Sequence, residues 1–263
     1  MWRIPVRFVR LSHHLLRGVL LSQIRHTPEV RGRLAQRWYS DLNKLLAITV
    51  IVRGTPADSE GGCLWLPNHV SWLDIPLLGS MQPGTVFLSK SEVGRWPVIG
   101  RLARAAGTLF MNRGAGAESA RNALVEGFAA GKNVVIFAEG TTSDGADVRR
   151  LHARLIQPAL DASVPIQPIA LRFCTEDGVL DRRAAFIDDD HLIGSLWRVL
   201  RARSLLVHVH FLDTFEPLDS QGHVLSRDRI ARMAEQRIRQ ALQNADSDTS
   251  IPANQRSSSI LPS

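Results

Sequence analysis

His69 and Asp74 belong to the two residue types that commonly act together as a general base. The carboxylate fixes the tautomer of the imidazole and stabilises the imidazolium that forms when the ring takes a proton. Residues five positions apart lie about 140° apart on a regular helix, so this pair meets only where a turn enters a helix. Pro67 before the histidine and Pro76 after the aspartate favour such a turn. The spacing therefore predicts a histidine–aspartate pair at a loop–helix junction.

The same spacing occurs twice more, at His208 with Asp213 and at His223 with Asp228. Spacing alone does not choose among the three pairs, so their positions must decide. His208 stands in the middle of a predicted strand, where a structural histidine is the better interpretation. His69 follows directly after an apolar run, and we take it as the candidate base.

Polar residues also follow two other apolar runs. One run ends at Arg113, and another leads into Glu139, Gly140 and Thr141. Open α/β sheets bind their ligands at the carboxyl ends of strands, which makes both places candidate sites. On these residues alone, an exposed loop arginine and an ordinary turn remain the simpler interpretations.

The elements that must position these residues alternate along the chain. Short apolar runs bounded by glycine, proline or polar residues predict strands at 47–52, 63–66, 85–88, 108–111, 133–137, 166–173 and 205–211. Helical periodicity predicts helices at 118–130, 149–160 and 227–243. This alternation indicates an α/β fold with a mixed, largely parallel sheet flanked by helices.

The positive charge is concentrated near the N-terminus. The sequence has 32 basic and 25 acidic residues, a net charge of +7. Residues 1–53 hold ten basic and two acidic residues, a net of +8, so the remainder sums to −1. A basic arm on a nearly neutral body is typical of contact with anionic lipid or with nucleic acid.

The apolar segment 11–24 is interrupted by His13, His14 and Arg17, so it is too short to span a bilayer. Its spacing predicts a basic amphipathic helix that lies at a membrane surface. A surface helix packed on the domain is the alternative. No small-residue cleavage site follows the segment, which argues against a cleavable signal peptide.

Composition sets further limits. A chain of 263 residues with 44% hydrophobic and 22% charged residues is expected to fold as one large globular domain, or as one domain with short additional segments. Cys63 and Cys174 have no paired spacing, which argues against a disulfide scaffold or a cysteine zinc site. Two isolated cysteines are typical of a reducing compartment.

Four blocks, taken in order, resemble those of the glycerolipid acyltransferase superfamily, which includes the 1-acylglycerol-3-phosphate acyltransferases. They are His-x4-Asp within 68–74, Gly-x-x-Phe-x-x-Arg at 107–113, a Phe-x-Glu-Gly-Thr block at 137–141 and Val-Pro-x-x-Pro at 164–168. The resemblance implies a glycerol-phosphate acyltransferase-like fold without metal or cofactor. It also implies that His69 is the catalytic base and Asp74 its partner. The acceptor-binding residues it implies are Arg113, Glu139, Gly140 and Thr141.

The partners that the resemblance implies are a lysolipid acceptor and an acyl thioester donor, carried on acyl carrier protein or coenzyme A. With the basic arm, it implies contact with an anionic membrane surface rather than nucleic acid, at the cytoplasmic face of the inner membrane, peripheral or N-terminally anchored. The expected organisation is a membrane-contacting segment at 1–46, an acyltransferase domain at 47–243 and a disordered tail at 244–263.

Two residues depart from the family pattern. Ala138 stands where the family usually has proline, and Thr142 stands where it usually has arginine. Loss of that arginine removes one guanidinium fork for phosphate. The expected acceptor is 1-acylglycerol-3-phosphate. The altered block also resembles the lyso-ornithine lipid acyltransferases, whose acceptor has no phosphate, and these supply the alternative.

A nucleotide-dependent oxidoreductase is the rival hypothesis from another class. The segment Gly-Ala-Gly-Ala-Glu-Ser at 114–119 follows a predicted strand and opens a predicted helix. Glu139 would then be the carboxylate that binds the ribose. Ser119 replaces the third glycine of that fingerprint, so the match fails where the helix must approach the strand closely.

Overall fold

The computed structural model describes residues 3–57, 61–111, 117–187 and 190–248. Within these ranges, seven strands form one sheet in the order β1-β7-β6-β2-β5-β3-β4. The strands are β1 Ile48–Arg53, β2 Cys63–Pro67, β3 Val86–Lys90, β4 Leu109–Met111, β5 Asn133–Val135, β6 Ile166–Cys174 and β7 Leu205–Phe211. Among the strands of the described ranges, β6 and β7 pair antiparallel and the other neighbours are parallel. The predicted strands and the mixed, largely parallel α/β fold are confirmed.

Helices cover both faces of the sheet. They are α1 Arg3–Leu21, α2 Pro28–Leu45, α3 Asp74–Gly79, α4 Ser91–Gly94, α5 Ile99–Ala105, α6 Ala117–Ala129, α7 Gln157–Asp161, α8 Leu192–Arg201 and α9 Arg227–Asp248. One apolar core contains side chains of α1, α2, α3 and α8, and a second contains those of α6, α7 and α9. Burial from both sides explains why β6 is buried along its whole length.

The predicted helix at 149–160 was wrong in its first half. Residues up to 152 are irregular, and only a 3₁₀ turn at Ala153–Leu155 and the short α7 follow. Backbone N–H groups that a helix would use are donated elsewhere: that of Leu151 to Glu235 Oε1 at 2.7 Å and that of His152 to the Ala138 carbonyl at 2.7 Å. These tertiary partners override local helical periodicity.

The tail predicted to be disordered spans residues 244–263, and only its first five residues lie within the described part of the chain. Helix α9 continues to Asp248, so residues 244–248 are helical. Residues 249–263 lie outside the described residues.

Helix α1 has two distinct faces. Leu11, His14 and Gly18 form its buried stripe. A Cβ on Gly18 would lie 2.6 Å from Nε1 of Trp38 on α2, so only glycine permits this approach. The outer face of α1 remains apolar and exposed, for example at Val9. The helix is therefore both packed on the domain and amphipathic.

Arg7 ties α1 to α8. Its guanidinium donates to the carbonyls of Leu200, Ala202 and Arg203, at distances of 2.5–3.1 Å. These carbonyls lie at the carboxyl end of α8, where helical partners are missing, so the guanidinium caps that helix. None of the helices in the described ranges combines the length and apolar character needed to cross a membrane.

Candidate active site

The site lies where β2 and β5 end. These strands are parallel neighbours, with Trp65 opposite Val135, so the segments that follow them leave the sheet side by side. One segment carries His69 and the other carries Glu139. The sheet therefore brings together two sequence blocks that are 70 residues apart.

His69 and Asp74 form the predicted pair. The Nδ1 atom of His69 lies 2.8 Å from Oδ2 of Asp74. The aspartate is fully buried, and the histidine side chain is 18% exposed. With Nδ1–H donated to the carboxylate, Nε2 carries the lone pair and is free to take a proton. The predicted turn into a helix is also confirmed, because Asp74 is the first residue of α3.

The backbone fixes Asp74 before any substrate binds. Its Oδ2 atom accepts N–H groups from Val70 at 2.7 Å and from Ser71 at 2.9 Å, in addition to His69. Hydrogen bonds to a carboxylate stabilise its charged form. The loop therefore supplies a preorganised negative charge beneath the imidazole.

Two further contacts hold His69 in place. The ring of His69 stacks on Phe137, with centroids 3.9 Å apart and planes inclined by 20°. The backbone N–H of Ser143 donates to the His69 carbonyl at 2.8 Å. The segment after β5 thus contacts both the side chain and the backbone of the candidate base.

Asn68 fixes the point at which the chain leaves the sheet. Its Nδ2 donates to the Leu171 carbonyl at 3.0 Å, and its Oδ1 accepts the Leu171 N–H at 2.7 Å. The side-chain amide therefore continues the hydrogen-bond ladder between β2 and β6 by one residue. His69 is the next residue, and it lies outside the sheet.

Glu139 connects the two loops. Its Oε1 accepts the backbone N–H of His69 at 2.7 Å, and its Oε2 accepts that of Arg149 at 3.2 Å. Burial raises the pKa of Glu139 to about 7, and the charge of Asp74 adds to the rise, while the two N–H donors oppose it. The carboxylate thus positions the histidine loop, and the acceptor contact inferred from the family stays a prediction.

This raised pKa makes the free energy of unfolding depend on pH. The folded pKa of about 7 exceeds the ordinary 4.5, so the folded state binds the extra proton between these values. Relative to Glu139→Gln, the wild type should lose on the order of 3 kcal/mol of unfolding free energy as pH rises through this window. Chemical denaturation of both proteins near pH 5 and pH 8 measures the change. An equal difference at both pH values would show that Glu139 titrates normally.

Gly140 makes the turn that follows Glu139. Its φ of +72° lies in the region that favours glycine. A Cβ here would also lie 3.1 Å from Cδ2 of His152. Its carbonyl accepts a hydrogen bond from Nζ of Lys90 at 3.3 Å. Thr141, the next residue, is exposed at the surface of the site.

Arg113, the remaining predicted site residue, lies outside the described residues, as do Gly114 and Gly116 of the oxidoreductase fingerprint. The two competing histidines lie elsewhere. His208 is in β7, opposite Ile51 of β1. His223 is exposed and lies 3.5 Å from Asp219 rather than beside the aspartate five positions later.

Several residues of the site were not singled out from sequence. Phe137 lies within one of the four blocks that carried the family resemblance, so a motif signal existed for it, whereas Lys90 lies outside those blocks. Asn68 opens the histidine block, but its bonds to β6 depend on strand order. His152 gave no signal, since it was placed within a predicted helix.

Comparisons with known proteins identify the family of the chain. The acyltransferase family pattern matches residues 49–172. The chain is 46% identical over 217 residues to the lyso-ornithine lipid O-acyltransferase of Pseudomonas aeruginosa, which covers 82% of this chain and 80% of that protein. It is 33% identical over 205 residues to the 1-acyl-sn-glycerol-3-phosphate acyltransferase of Neisseria meningitidis, which covers 77% of this chain and 80% of that protein.

A solved structure shares the fold. The 1-acyl-sn-glycerophosphate (LPA) acyltransferase of Thermotoga maritima superimposes with a TM-score of 0.61 at 18% identity, over 91% of this chain and 89% of that chain. The ordered sequence blocks, the histidine–aspartate pair and these relatives lead to one conclusion. The chain is an acyltransferase and belongs to the family that includes the lyso-ornithine lipid and 1-acyl-sn-glycerol-3-phosphate acyltransferases.

Proposed function

We propose that this enzyme transfers a fatty acyl group from a thioester to the free hydroxyl of a lysolipid, with His69 as the general base. The observation that carries the proposal is the 2.8 Å contact between His69 Nδ1 and Asp74 Oδ2 at the end of β2, which leaves Nε2 open. Family membership favours acyl transfer over the oxidoreductase alternative.

The reaction proceeds by addition and elimination. The hydroxyl oxygen of the acceptor attacks the thioester carbonyl carbon while Nε2 of His69 takes the hydroxyl proton. Asp74 stabilises the imidazolium that forms. The tetrahedral intermediate then expels the thiolate, which receives the proton from His69. The substrate is itself the nucleophile, so no enzyme nucleophile is needed.

The turn after Gly140 supplies donors for the oxyanion. The N–H of Gly140 itself is occupied, because it donates to the Phe137 carbonyl at 3.2 Å. Those of Thr141 and Thr142 make no hydrogen bond within the described ranges. We assign the developing negative charge to these two N–H groups, since preorganised donors stabilise it without reorganisation.

We propose lyso-ornithine lipid as the preferred acceptor and 1-acylglycerol-3-phosphate as the second candidate. Position 142 bears no cation, and the Thr142 hydroxyl donates to the Phe186 carbonyl instead. The chain is also 46% identical to the lyso-ornithine lipid O-acyltransferase of Pseudomonas aeruginosa but 33% identical to the 1-acyl-sn-glycerol-3-phosphate acyltransferase of Neisseria meningitidis, which favours the same acceptor. The second candidate is supported by Lys90, whose ammonium lies at the Gly140 carbonyl and provides a cation for phosphate.

An assay of thioester consumption with both acceptors tests the proposal. If Arg113 binds phosphate, Arg113→Ala should impair transfer to 1-acylglycerol-3-phosphate far more than transfer to lyso-ornithine lipid. Thr142→Arg should favour the phosphate acceptor by about tenfold or more, the effect of one charge-assisted hydrogen bond. Arg182→Ala removes a nearby arginine that pairs with Asp144 and serves as control. Equal effects on both acceptors would show that Arg113 is structural, and consumption with neither would refute the proposed function.

For the donor, we propose acyl carrier protein or coenzyme A, with no further cofactor.

We also propose peripheral attachment to an anionic membrane, at the cytoplasmic face of the inner membrane. The exposed apolar face of α1 supports this attachment, and so does α8, where Ile193 is 83% exposed. On its inner side, Ser195 of α8 accepts a hydrogen bond from Trp72 of the histidine loop at 3.1 Å. A membrane at α8 would therefore lie close to the active site.

A further inference from the structure

A groove of about 600 Å³ lies between α1 and α2, and none of the active-site residues that the structure describes lines it. We call it the α1–α2 groove. Five residues of α1 line it: Val9 and four residues of basic types, Arg10, His13, His14 and Arg17. The four basic positions follow the i, i+3, i+4, i+7 pattern, so their side chains form one stripe along the helix. The stripe contains only basic residue types.

His14 lies in the wall of this groove, and its ring is held by packing. Its side chain is buried, with 8% of the residue exposed, yet Nε2 has no hydrogen-bond partner among the described residues. The ring stacks on Trp38 with centroids 4.6 Å apart, and Trp38 Nε1 donates to the His14 carbonyl at 3.3 Å. The stacking holds the ring against Trp38 of α2. Buried polar atoms are normally paired, so this nitrogen marks an unsatisfied position in the wall of the groove.

Unpaired positive charge surrounds this ring. Arg10, Arg17 and, on α2, Lys44 are exposed and make no ion pair or side-chain hydrogen bond within the described ranges. Asp41 is the acidic residue of the lining and sets one negative charge against three positive ones. Burial lowers the pKa of His14, and the charge of Asp41 opposes this effect. The excess charge attracts an anion, and guanidinium groups favour phosphate oxygens.

We propose that the α1–α2 groove binds the phosphate group of an anionic membrane lipid, at a site separate from the active site. Val9 and Leu45 give the groove an apolar wall beside its cations. Leu16 and Leu20, exposed on the same helix, can enter the acyl layer while the groove contacts the headgroup. Only the choice of a lipid, rather than free phosphate, depends on the proposed membrane attachment.

Binding of water-soluble dihexanoylphosphatidylglycerol, measured by calorimetry without acyl donor, tests the site. The double variant Arg10→Gln/Arg17→Gln should weaken binding by about tenfold or more, because two charge-assisted contacts are lost. Arg31→Gln/Arg33→Gln is the matched control, since it removes the same charge from exposed positions of α2 outside the groove. It should change the affinity by less than about threefold.

A second readout identifies the groove directly. Titration with the soluble lipid should shift the NMR signal of His14 in histidine-labelled wild-type protein but not in Arg10→Gln/Arg17→Gln. His14→Phe retains a ring against Trp38 and identifies that signal by its loss. Transfer to detergent-dispersed acceptor should remain unchanged in Arg10→Gln/Arg17→Gln, so failure of the proposed function would be recognised separately.

The outcomes separate the possible ligands. Inorganic phosphate that binds as tightly as the soluble lipid would support the phosphate site but assign it to free phosphate. An equal loss of affinity in Arg31→Gln/Arg33→Gln would overturn the site in favour of diffuse charge. A His14 signal that does not move with either ligand would also overturn it.

Discussion

His69→Ala should lower the rate of acyl transfer by about 10² to 10⁴, the usual contribution of a general base. The fold should persist, because Asp74 retains the N–H groups of Val70 and Ser71 when the imidazole is removed. Initial rates with a soluble thioester donor and detergent-dispersed acceptor measure the first effect. Thermal unfolding measures the second.

The chain provides a matched control for this substitution. His223 lies 3.5 Å from Asp219, so it has the same kind of partner, but its side chain is 73% exposed. His223→Ala should leave the rate unchanged, and His208→Ala should also remain active. Comparable losses of rate in all three variants, with unchanged unfolding, would refute His69 as the base.

Asp74→Asn should lower the rate by about 10² to 10³, as expected when one preorganised electrostatic contribution is removed. The asparagine oxygen can still accept the three N–H groups that now meet at Oδ2, so the loop geometry should survive. What the variant loses is the negative charge that stabilises the imidazolium. The variant should therefore change the rate of acyl transfer strongly and the unfolding curve only slightly.

A double variant shows whether Asp74 acts through His69. Because the two residues work as a unit, His69→Ala/Asp74→Asn should be no slower than His69→Ala within about threefold. Asp219→Asn, which alters the exposed histidine–aspartate pair, should have no effect. Multiplied losses in the double variant would show that Asp74 contributes independently of the imidazole.

The strands could be predicted from the sequence more fully than the geometry of the site could. Apolar runs such as 63–66 end at proline or polar residues, so their burial and limits are local properties of the chain. The order of the strands is not local. The adjacency of β2 and β5, which brings Glu139 to the backbone of His69, follows only from the assembled sheet. Motifs therefore identified Glu139 but not its hydrogen bonds to two loops.

Helix α2 and the segment 149–160 show two opposite failures of helix prediction from sequence. Helix α2 carries a clear start signal, since Thr27 caps it and Pro28 occupies its first turn, but no helix was predicted there. The segment 149–160 has helical periodicity, yet partners such as Glu235 take its N–H groups. The first signal could have been found in the sequence. The second outcome depends on α9, which is distant in the chain.

Arg7 and the carbonyls that it caps at the end of α8 are synthesised at different times. The carbonyls that it binds are 193 to 196 residues further along the chain. A ribosome adds about 5 to 20 residues per second, so roughly 10 to 40 s separate the synthesis of the two partners. During that interval the growing chain carries α1 without α8, so the outer apolar face of α1 is present before the sheet is complete. Under the membrane attachment proposed above, the growing chain can therefore bind a bilayer before it finishes folding.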